Sequence, residues 1–248
     1  MSVLLAGLIL SSRLNSQVPP AQEVLSKVNL TYANLESYMD WGQITFSYRS
    51  AAGEHRGETR FFNTAFKRPN RLRYELVEPA TEVAKEKRWV TWSAYRSGYA
   101  TWVSWLPRET DRISLQKSLV RSWGMSESSG LILKMLAPWA ISSPRATGLR
   151  DAAIFRDEID GHVCWRIDGS CEDGAQASLW VDQRTSLFVR YRHTVDAKLD
   201  GKPTNEIYTV DFKSTGNPAM SASELRFSPP EYGSHTRHRK KHRKRHKG

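Results

Sequence analysis

Residues 41–79 read WGQITFSYRSAAGEHRGETRFFNTAFKRPNRLRYELVEP, and this stretch decides the fold class. Apolar and polar residues alternate in Trp41–Arg49 and again in Arg71–Val77. Because successive side chains on a strand point to opposite faces, each segment predicts a strand with one apolar face. Arg60–Phe66 between them is apolar on both sides, which predicts a strand covered on both faces. Pro69 cannot donate to a ladder, so the strand is expected to stop before it.

The same alternation returns in the second half of the chain, and residues typical of turns separate the segments. About ten strands joined by short turns predict an antiparallel meander rather than βαβ units. The alternating segments are Val163–Asp168, Leu179–Val181, Leu187–Arg192 and Tyr208–Phe212, and the turns include Asp160-Gly161, Glu172-Asp173-Gly174 and Asp200-Gly201.

Helical patterns are few. Ala21–Tyr38 has apolar residues at helical spacing after Pro19-Pro20, and Ile113–Trp123 and Ser128–Trp139 form a second helical region. Leu131–Leu136 within that region is apolar nearly all round. Such a helix is either buried in a core or closes over an apolar cavity.

The charge of the chain is concentrated at one end. The formal net charge is +11, but eight lysines and arginines lie within residues 237–247, which leaves +3 for the rest. The body is therefore not a basic nucleic-acid surface. We predict a leader at residues 1–17, one folded domain at 18–232 and a disordered basic tail at 233–248, because the tail has no apolar residue.

The first residues, Val3–Leu10, are apolar but too few to span a membrane, for which about 20 are needed. They favour a signal-peptide core, and a buried N-terminal strand is the alternative. Leu8 stands where the lipidated cysteine of a lipoprotein would be. We therefore expect an exported, soluble protein without a lipid anchor at this site.

Motifs for catalysis are missing from the sequence. It has no G-x-S-x-G, H-E-x-x-H, Walker or G-x-G-x-x-G pattern, and His55, His162 and His193 are isolated. We predict no catalytic residue, no cofactor and no metal site. Cys164 and Cys171 lack a neighbouring histidine pair, and a disulfide between them would need a turn or bulge near Gly169.

Three pieces in order carry a resemblance to a known family. The chain resembles the LolA/LolB-like lipoprotein-carrier superfamily, in particular its outer-membrane lipoprotein-sorting branch. The pieces are an N-terminal helix with the strand pair and turn Phe66-Lys67-Arg68-Pro69-Asn70, the hairpin from Gly161–Trp165 to Leu179–Asp182, and the closing strand Leu225–Pro230.

The resemblance implies an α+β fold: an open, strongly curved antiparallel sheet, or half barrel, with helices covering its concave apolar face. Arg68 matches the family arginine that hydrogen-bonds the lid backbone and helps to close the cavity. Lys87–Trp92 is aromatic but lacks the Asp-Gly turn common in the family, which makes a divergent member of it the expectation.

The implied function is a non-enzymatic periplasmic carrier or binder of lipoproteins or lipid acyl chains. Its expected partners are those acyl chains, an inner-membrane release complex and an outer-membrane acceptor, and the tail is expected to dock on an anionic membrane surface rather than on nucleic acid. An envelope sensor that binds lipoprotein and an envelope hydrolase are the alternatives. We place Arg68 at the lid and seven residues in the cavity: Phe46, Tyr48, Leu72, Tyr74, Leu133, Leu136 and Trp102.

Deleting His235–Gly248 should leave thermal stability unchanged, because a segment without apolar residues buries nothing. It should weaken binding to anionic vesicles, since basic residues contribute about 1 kcal/mol each near such a surface. The measurement is vesicle co-sedimentation in competition with duplex DNA at matched charge. If DNA strips the protein from vesicles while vesicles never displace DNA, the membrane role of the tail is wrong.

Overall fold

The computed structural model describes residues 18–50, 53–81, 85–94, 98–105, 111–117, 131–138, 148–199 and 201–230. Within them the chain forms one antiparallel, open and curved sheet with two helices on one face. The helices are α1 (Ala21–Asn34) and α2 (Leu131–Leu136), and residues 115–117 are also helical. The strands are β1 (Ser37–Ser50), β2 (Gly53–Lys67), β3 (Arg71–Glu78), β4 (Lys87–Ala94), β5 (Gly98–Val103), β6 (Asp111–Ile113), β7 (Arg150–Ile159), β8 (His162–Ser170), β9 (Gln176–Asp182), β10 (Phe188–Leu199) and β11 (Lys202–Gly216).

The strand order is β6-β5-β4-β3-β2-β1-β11-β10-β9-β8-β7, so all neighbours except β1 and β11 follow one another in the chain. β1 pairs with β2 on one side and with β11 on the other, which joins the two halves of the chain. The predicted α+β class with an open antiparallel sheet is confirmed. The predicted leader and the predicted tail lie outside the described residues.

The structure corrects three details of the sequence-based prediction. Phe61 is 46% exposed, so β2 is not covered on both faces. α1 ends at Asn34 rather than at Tyr38, because Leu35 takes an extended backbone (φ −66°, ψ 127°) and Tyr38 belongs to β1. Ile113 lies in a strand, and residues 118–130 of the predicted helical region lie outside the described part of the chain.

The two faces of the sheet differ in chemistry, as the alternation predicts. We call the face that α1 and α2 cover the helix face, and the opposite one the outer face. Opposed residues form apolar rows across the helix face, since paired positions share a face. One row runs Ile44, Val210, Tyr191, Leu179, Ile167 and Ile154 from β1 to β7.

Gly42 sits at the centre of a second row on the helix face. Phe62 on β2 and Phe212 on β11 are its two partners, and their rings meet edge to face at 5.7 Å over the glycine. A Cβ at position 42 would lie 2.7 Å from the Phe62 ring. Only a residue without a side chain leaves room for this aromatic pair at the middle of the sheet.

α1 follows from its apolar positions. Val24, Leu25, Val28 and Tyr32 are buried at helical spacing, and they pack into the core of the helix face. Pro20 precedes the first turn, where a missing N–H costs nothing. Among the described residues, no helix is long and apolar enough to cross a membrane.

The C-terminal segment after β11 crosses the outer face. Phe227 lies between the rings of Trp92 and Trp102, at 5.0 Å and 5.4 Å between centroids. The carbonyl of Arg226 accepts a hydrogen bond of 3.3 Å from Arg73 on β3. The segment therefore covers a small apolar cluster on the side of the sheet away from the helices.

A carboxylic acid is buried on the helix face next to α1. Asp40 is 4% exposed and accepts a hydrogen bond of 2.8 Å from the Tyr38 hydroxyl, which also lies 2.9 Å from Ser214 Oγ. The Tyr32 hydroxyl accepts the Phe188 N–H at 3.1 Å, so Tyr32 ties α1 to β10 beside this group. Burial raises the pKa of Asp40 from 3.8 to about 7, against the lowering effect of hydrogen bonds from Thr64 and Tyr38.

Asp40→Asn should remove a dependence of stability on pH. A carboxyl whose pKa is higher in the folded than in the unfolded chain destabilises the fold increasingly as pH rises from about 4 to about 7. Between about pH 5 and pH 8, ionisation of Asp40 should therefore lower the free energy of unfolding of the native protein by about 3 kcal/mol. The variant should show no such decrease. Urea unfolding across this range measures the difference, and Asp160→Asn in an exposed turn is the control. Parallel stability curves for the native protein and Asp40→Asn would contradict the burial of an ionising Asp40.

Candidate functional site

Arg68 joins both helices to the sheet. Its Nε donates to the Leu35 carbonyl at 2.8 Å, and its Nη2 donates to the carbonyls of Tyr32, at 3.4 Å, and Ala33 at the end of α1. The same nitrogen lies 3.5 Å from the Leu136 carbonyl of α2. α1 has no basic residue in its last turn, so Arg68 supplies the cation that the unpaired carbonyls at a helix C-terminus attract.

The turn that carries Arg68 is itself fixed on both sides. Arg68 N–H donates to the Glu36 carbonyl at 2.9 Å, and the Tyr99 hydroxyl of β5 donates to the Asn70 carbonyl at 2.8 Å. The guanidinium also lies 5.6 Å from the centre of the Phe66 ring. These contacts hold the Arg68 side chain against the ends of α1 and α2.

A closed apolar pocket lies directly beside Arg68, between α2 and the sheet. Its free volume is about 10 Å³, which is about the minimum that one ordered water needs. The pocket brings together three of the predicted cavity residues, Leu72, Leu133 and Leu136. Its whole lining is Phe66, Leu72, Tyr99, Leu115, Leu133, Leu136 and Ala137.

α2 is apolar apart from one residue. Leu131, Ile132, Leu133, Met135 and Leu136 are all buried. Burial lowers the pKa of the remaining residue, Lys134, to about 8. The helix thus has little polar surface of its own, and its apolar sides face α1 and the helix face of the sheet.

Three other predicted residues share the helix face but lie elsewhere on it. Tyr74 is fully buried in the core beneath the helices. Phe46 packs on Tyr208, at 5.2 Å between ring centres, and lines a separate open cleft of about 320 Å³. Tyr48 stacks on His55 at 5.1 Å near the end of β1. Phe46 and Tyr48 are therefore not part of the pocket beside Arg68.

Trp102 lies on the outer face, so its predicted place in the cavity is wrong. The register pairs Trp102 with Val90, and both pack with Trp92 against Phe227. Trp89, which is an odd number of residues from Trp92, faces the helices instead and packs against the main core. The sequence shows only that Trp89 and Trp92 point to opposite faces, and it does not show which face is covered by the helices.

The outer face carries an open cleft of about 780 Å³ with mixed charges. Trp41 is 57% exposed there, and Lys213 Nζ lies 4.0 Å from the centre of its ring. His162 at its edge is 2.9 Å from Asp182, whose other oxygen accepts the N–H of Thr185 at 2.7 Å. The Asp182 carboxylate thus stabilises the turn between β9 and β10, so its role is structural.

The cysteines are free and lie on opposite sides of the sheet. Cys164 is buried on the outer face, where burial raises the pKa of its thiol to about 11. Cys171 lies in the β8–β9 turn at the rim of the helix face. There its Sγ, a carboxylate oxygen of Asp173 and a ring nitrogen of His193 all lie within 4.8 Å of one another. Burial lowers the pKa of His193, against a raising effect of the Asp173 carboxylate.

That cluster of possible metal ligands was missed from the sequence. Cys171 and Asp173 are neighbours in the chain, but His193 reaches them only because β10 pairs with β9. The pairing of His162 with Asp182 was missed for the same reason.

Comparisons with known proteins find no matching family model and no matching curated protein. Among solved structures, the chain is similar to an outer-membrane lipoprotein-sorting protein domain from Vibrio parahaemolyticus, with 10% identity and a TM-score of 0.33, over 83% of this chain and 97% of that one. A LolA superfamily protein from Nitrosomonas europaea has 13% identity and a TM-score of 0.31, over 84% and 98%.

LolA/LolB-like proteins are thus among its structural neighbours. This is the superfamily that the sequence resembles. The MucA/MucB complex structure from Pseudomonas aeruginosa is a further neighbour, with 11% identity and a TM-score of 0.40. This chain covers 61% of that one, and 84% of this chain is aligned.

Arg68→Leu should loosen the two helices while the sheet stays intact. The variant leaves the terminal carbonyls of α1 without their charged donor, and such bonds contribute about 1.5–3 kcal/mol each. We expect hydrogen exchange of the amides in Tyr32–Leu35 and at Ala137 to become at least ~10-fold faster, with β10 and β11 unchanged. The exposed Arg71→Leu is the control. Equal protection of these amides in both variants would show that Arg68 does not hold the helices.

Proposed function

We propose that this protein binds acyl chains of lipids or lipoproteins, without catalysis, in the space between α2 and the helix face of the sheet. The observation that carries the proposal is the pocket beside Arg68, whose lining is apolar and which is covered by a six-residue helix. An acyl chain is held by buried area, at about 25 cal/mol per Å², and needs no reactive residue. Leu72, Leu133 and Leu136 supply such area from the strand and the helix.

The pocket must open to accept a ligand. Its free volume of about 10 Å³ compares with about 300–1,000 Å³ for ordinary ligand sites. The sheet is continuous from β1 to β6 beneath this point, while α2 contributes only six residues. α2 is therefore the element that moves, and the acyl chain of the ligand then takes the place of the α2 side chains against the sheet.

In this proposal α2 is a lid over the pocket, and Arg68 holds it closed. The guanidinium bonds the carbonyls of α1 at 2.8 Å and 3.4 Å but reaches Leu136 of α2 only at 3.5 Å. The contact to α2 is the longest, so it breaks first. α1 stays fixed by Tyr32 and Arg68 while α2 is released.

The cellular role that accompanies this chemistry is transfer or storage of acylated molecules in the periplasm. An inner-membrane release complex and an outer-membrane acceptor are the partners of such a carrier. The basic tail would keep the protein close to an anionic membrane surface. Mass spectrometry of lipids that co-purify with the full chain tests the ligand class directly.

Leu133→Trp should fill the pocket and reduce binding of a fluorescent fatty-acyl probe by at least ~10-fold, since larger side chains in a packed core leave no room for a further group. Trp102→Phe on the outer face should bind the probe as the native protein does. Titrations at equal protein concentration measure both, after circular dichroism has shown that each variant is folded. If folded Leu133→Trp binds the probe with native affinity, the ligand does not lie in this pocket. An equal loss of affinity in both variants would also contradict the proposal.

A further inference from the structure

The β8–β9 hairpin presents two side chains in a fixed turn. β8 ends at Ser170 and β9 begins at Gln176. Within the turn, Cys171 N–H donates to the Ala175 carbonyl at 2.7 Å, and Ala175 N–H donates to Asp173 Oδ1 at 3.1 Å. The backbone therefore fixes where the Cys171 thiol and the Asp173 carboxylate lie relative to each other.

β10 brings a third side chain to the same point. His193 is opposite Ala177, the second residue of β9, and lies on the helix face with Tyr191. Its ring stacks on Tyr191, with 6.0 Å between ring centres and 16° between planes. This stacking restricts the ring's orientation while its nitrogens lie at the ring edge, near Cys171 and Asp173.

The three ligand atoms are close enough for one metal ion. Cys171 Sγ, an Asp173 carboxylate oxygen and a His193 ring nitrogen all lie within 4.8 Å of one another. In a tetrahedral zinc site, with bonds of about 2.0–2.3 Å, ligand atoms are about 3.3–3.8 Å apart. A side-chain shift of about 1 Å brings the present arrangement to that geometry.

The ligand types select the ion. Thiolate, imidazole and carboxylate together are zinc ligands, whereas magnesium and calcium prefer oxygen alone. A thiolate, a carboxylate and a neutral imidazole carry two negative charges, which balance Zn²⁺. The Tyr191 hydroxyl interacts with the Cys171 thiol and can orient the sulfur, as groups behind metal ligands commonly do.

We propose that Cys171, Asp173 and His193 bind Zn²⁺, with three protein ligands and a fourth position open to water. Cys171 and His193 are half-buried and Asp173 is exposed, so the open position faces solvent. The ion joins the β8–β9 turn to β10 at the rim of the helix face. The row of paired residues continues from His193 through Tyr208 to Phe46, which places the ion on the same rim as the open cleft of the helix face.

Cobalt absorption tests the proposal on the full chain. The tail contains four histidines that can bind metal, but it contains no cysteine, so only a thiolate-to-cobalt charge-transfer band reports this site. Metal-free protein titrated with Co²⁺ should develop that band until it saturates, and added Zn²⁺ should remove it. Cys171→Ser should abolish the band, and the matched control Cys164→Ser should keep it.

Asp173→Asn and His193→Gln should each weaken cobalt binding at least ~10-fold. Alkylation of the native chain provides a readout that needs no variant. Zn²⁺ should protect Cys171 from iodoacetamide, as peptide mass mapping shows, while buried Cys164 serves as the internal reference. Absence of a thiolate band, its survival in Cys171→Ser, or alkylation of Cys171 unaffected by Zn²⁺ would overturn the proposal.

Discussion

An eleven-stranded sheet that does not close exposes one broad apolar face, and the rest of this structure depends on how that face is covered. α1 covers part of it, where Tyr32 packs against Tyr38 of β1 and Phe188 of β10. α2 covers the part beside β2 and β3. The helix ends are then the weak points, because their carbonyls lie close to the core without partners of their own, and Arg68 satisfies them from the sheet.

The outer face is stabilised in a different way. Glu75 is almost fully buried there and pairs with Arg73 and Arg88, each at 2.8 Å, under the C-terminal segment. Arg190 pairs with Asp211, which also accepts a bond of 3.3 Å from Gln43. Charge pairs within and between strands can cover a face that borders water, whereas they would be too costly between the helices and the sheet. One face of the sheet is therefore covered mainly by apolar contacts, and the other carries charge pairs that border water.

The sequence predicts the sheet well because period two is a local property. β1, β3, β8 and β10 can each be recognised from their own residues, and the turn at Pro69 follows from its chemistry. Alternation does not say which face is covered, and for this reason the predicted position of Trp102 in the cavity is wrong. The contacts that make the candidate sites are not local either. Arg68 meets residues 33, 35 and 136, and His193 meets Cys171, through strand register and helix packing that no single segment encodes.

The closed pocket sets a condition on any ligand that enters it. Releasing α2 exposes the five buried apolar side chains of that helix, at about 1.5–3 kcal/mol each, or roughly 7–15 kcal/mol in total. Each methylene of an acyl chain that takes their place contributes about 0.8 kcal/mol, so about 9–19 methylenes offset the exposure. A long acyl chain, as on a membrane lipid or a lipoprotein, reaches this number, and a short fatty acid does not. In the proposed mode of binding, the helix that covers the apolar face in the free protein would therefore also select ligands by chain length.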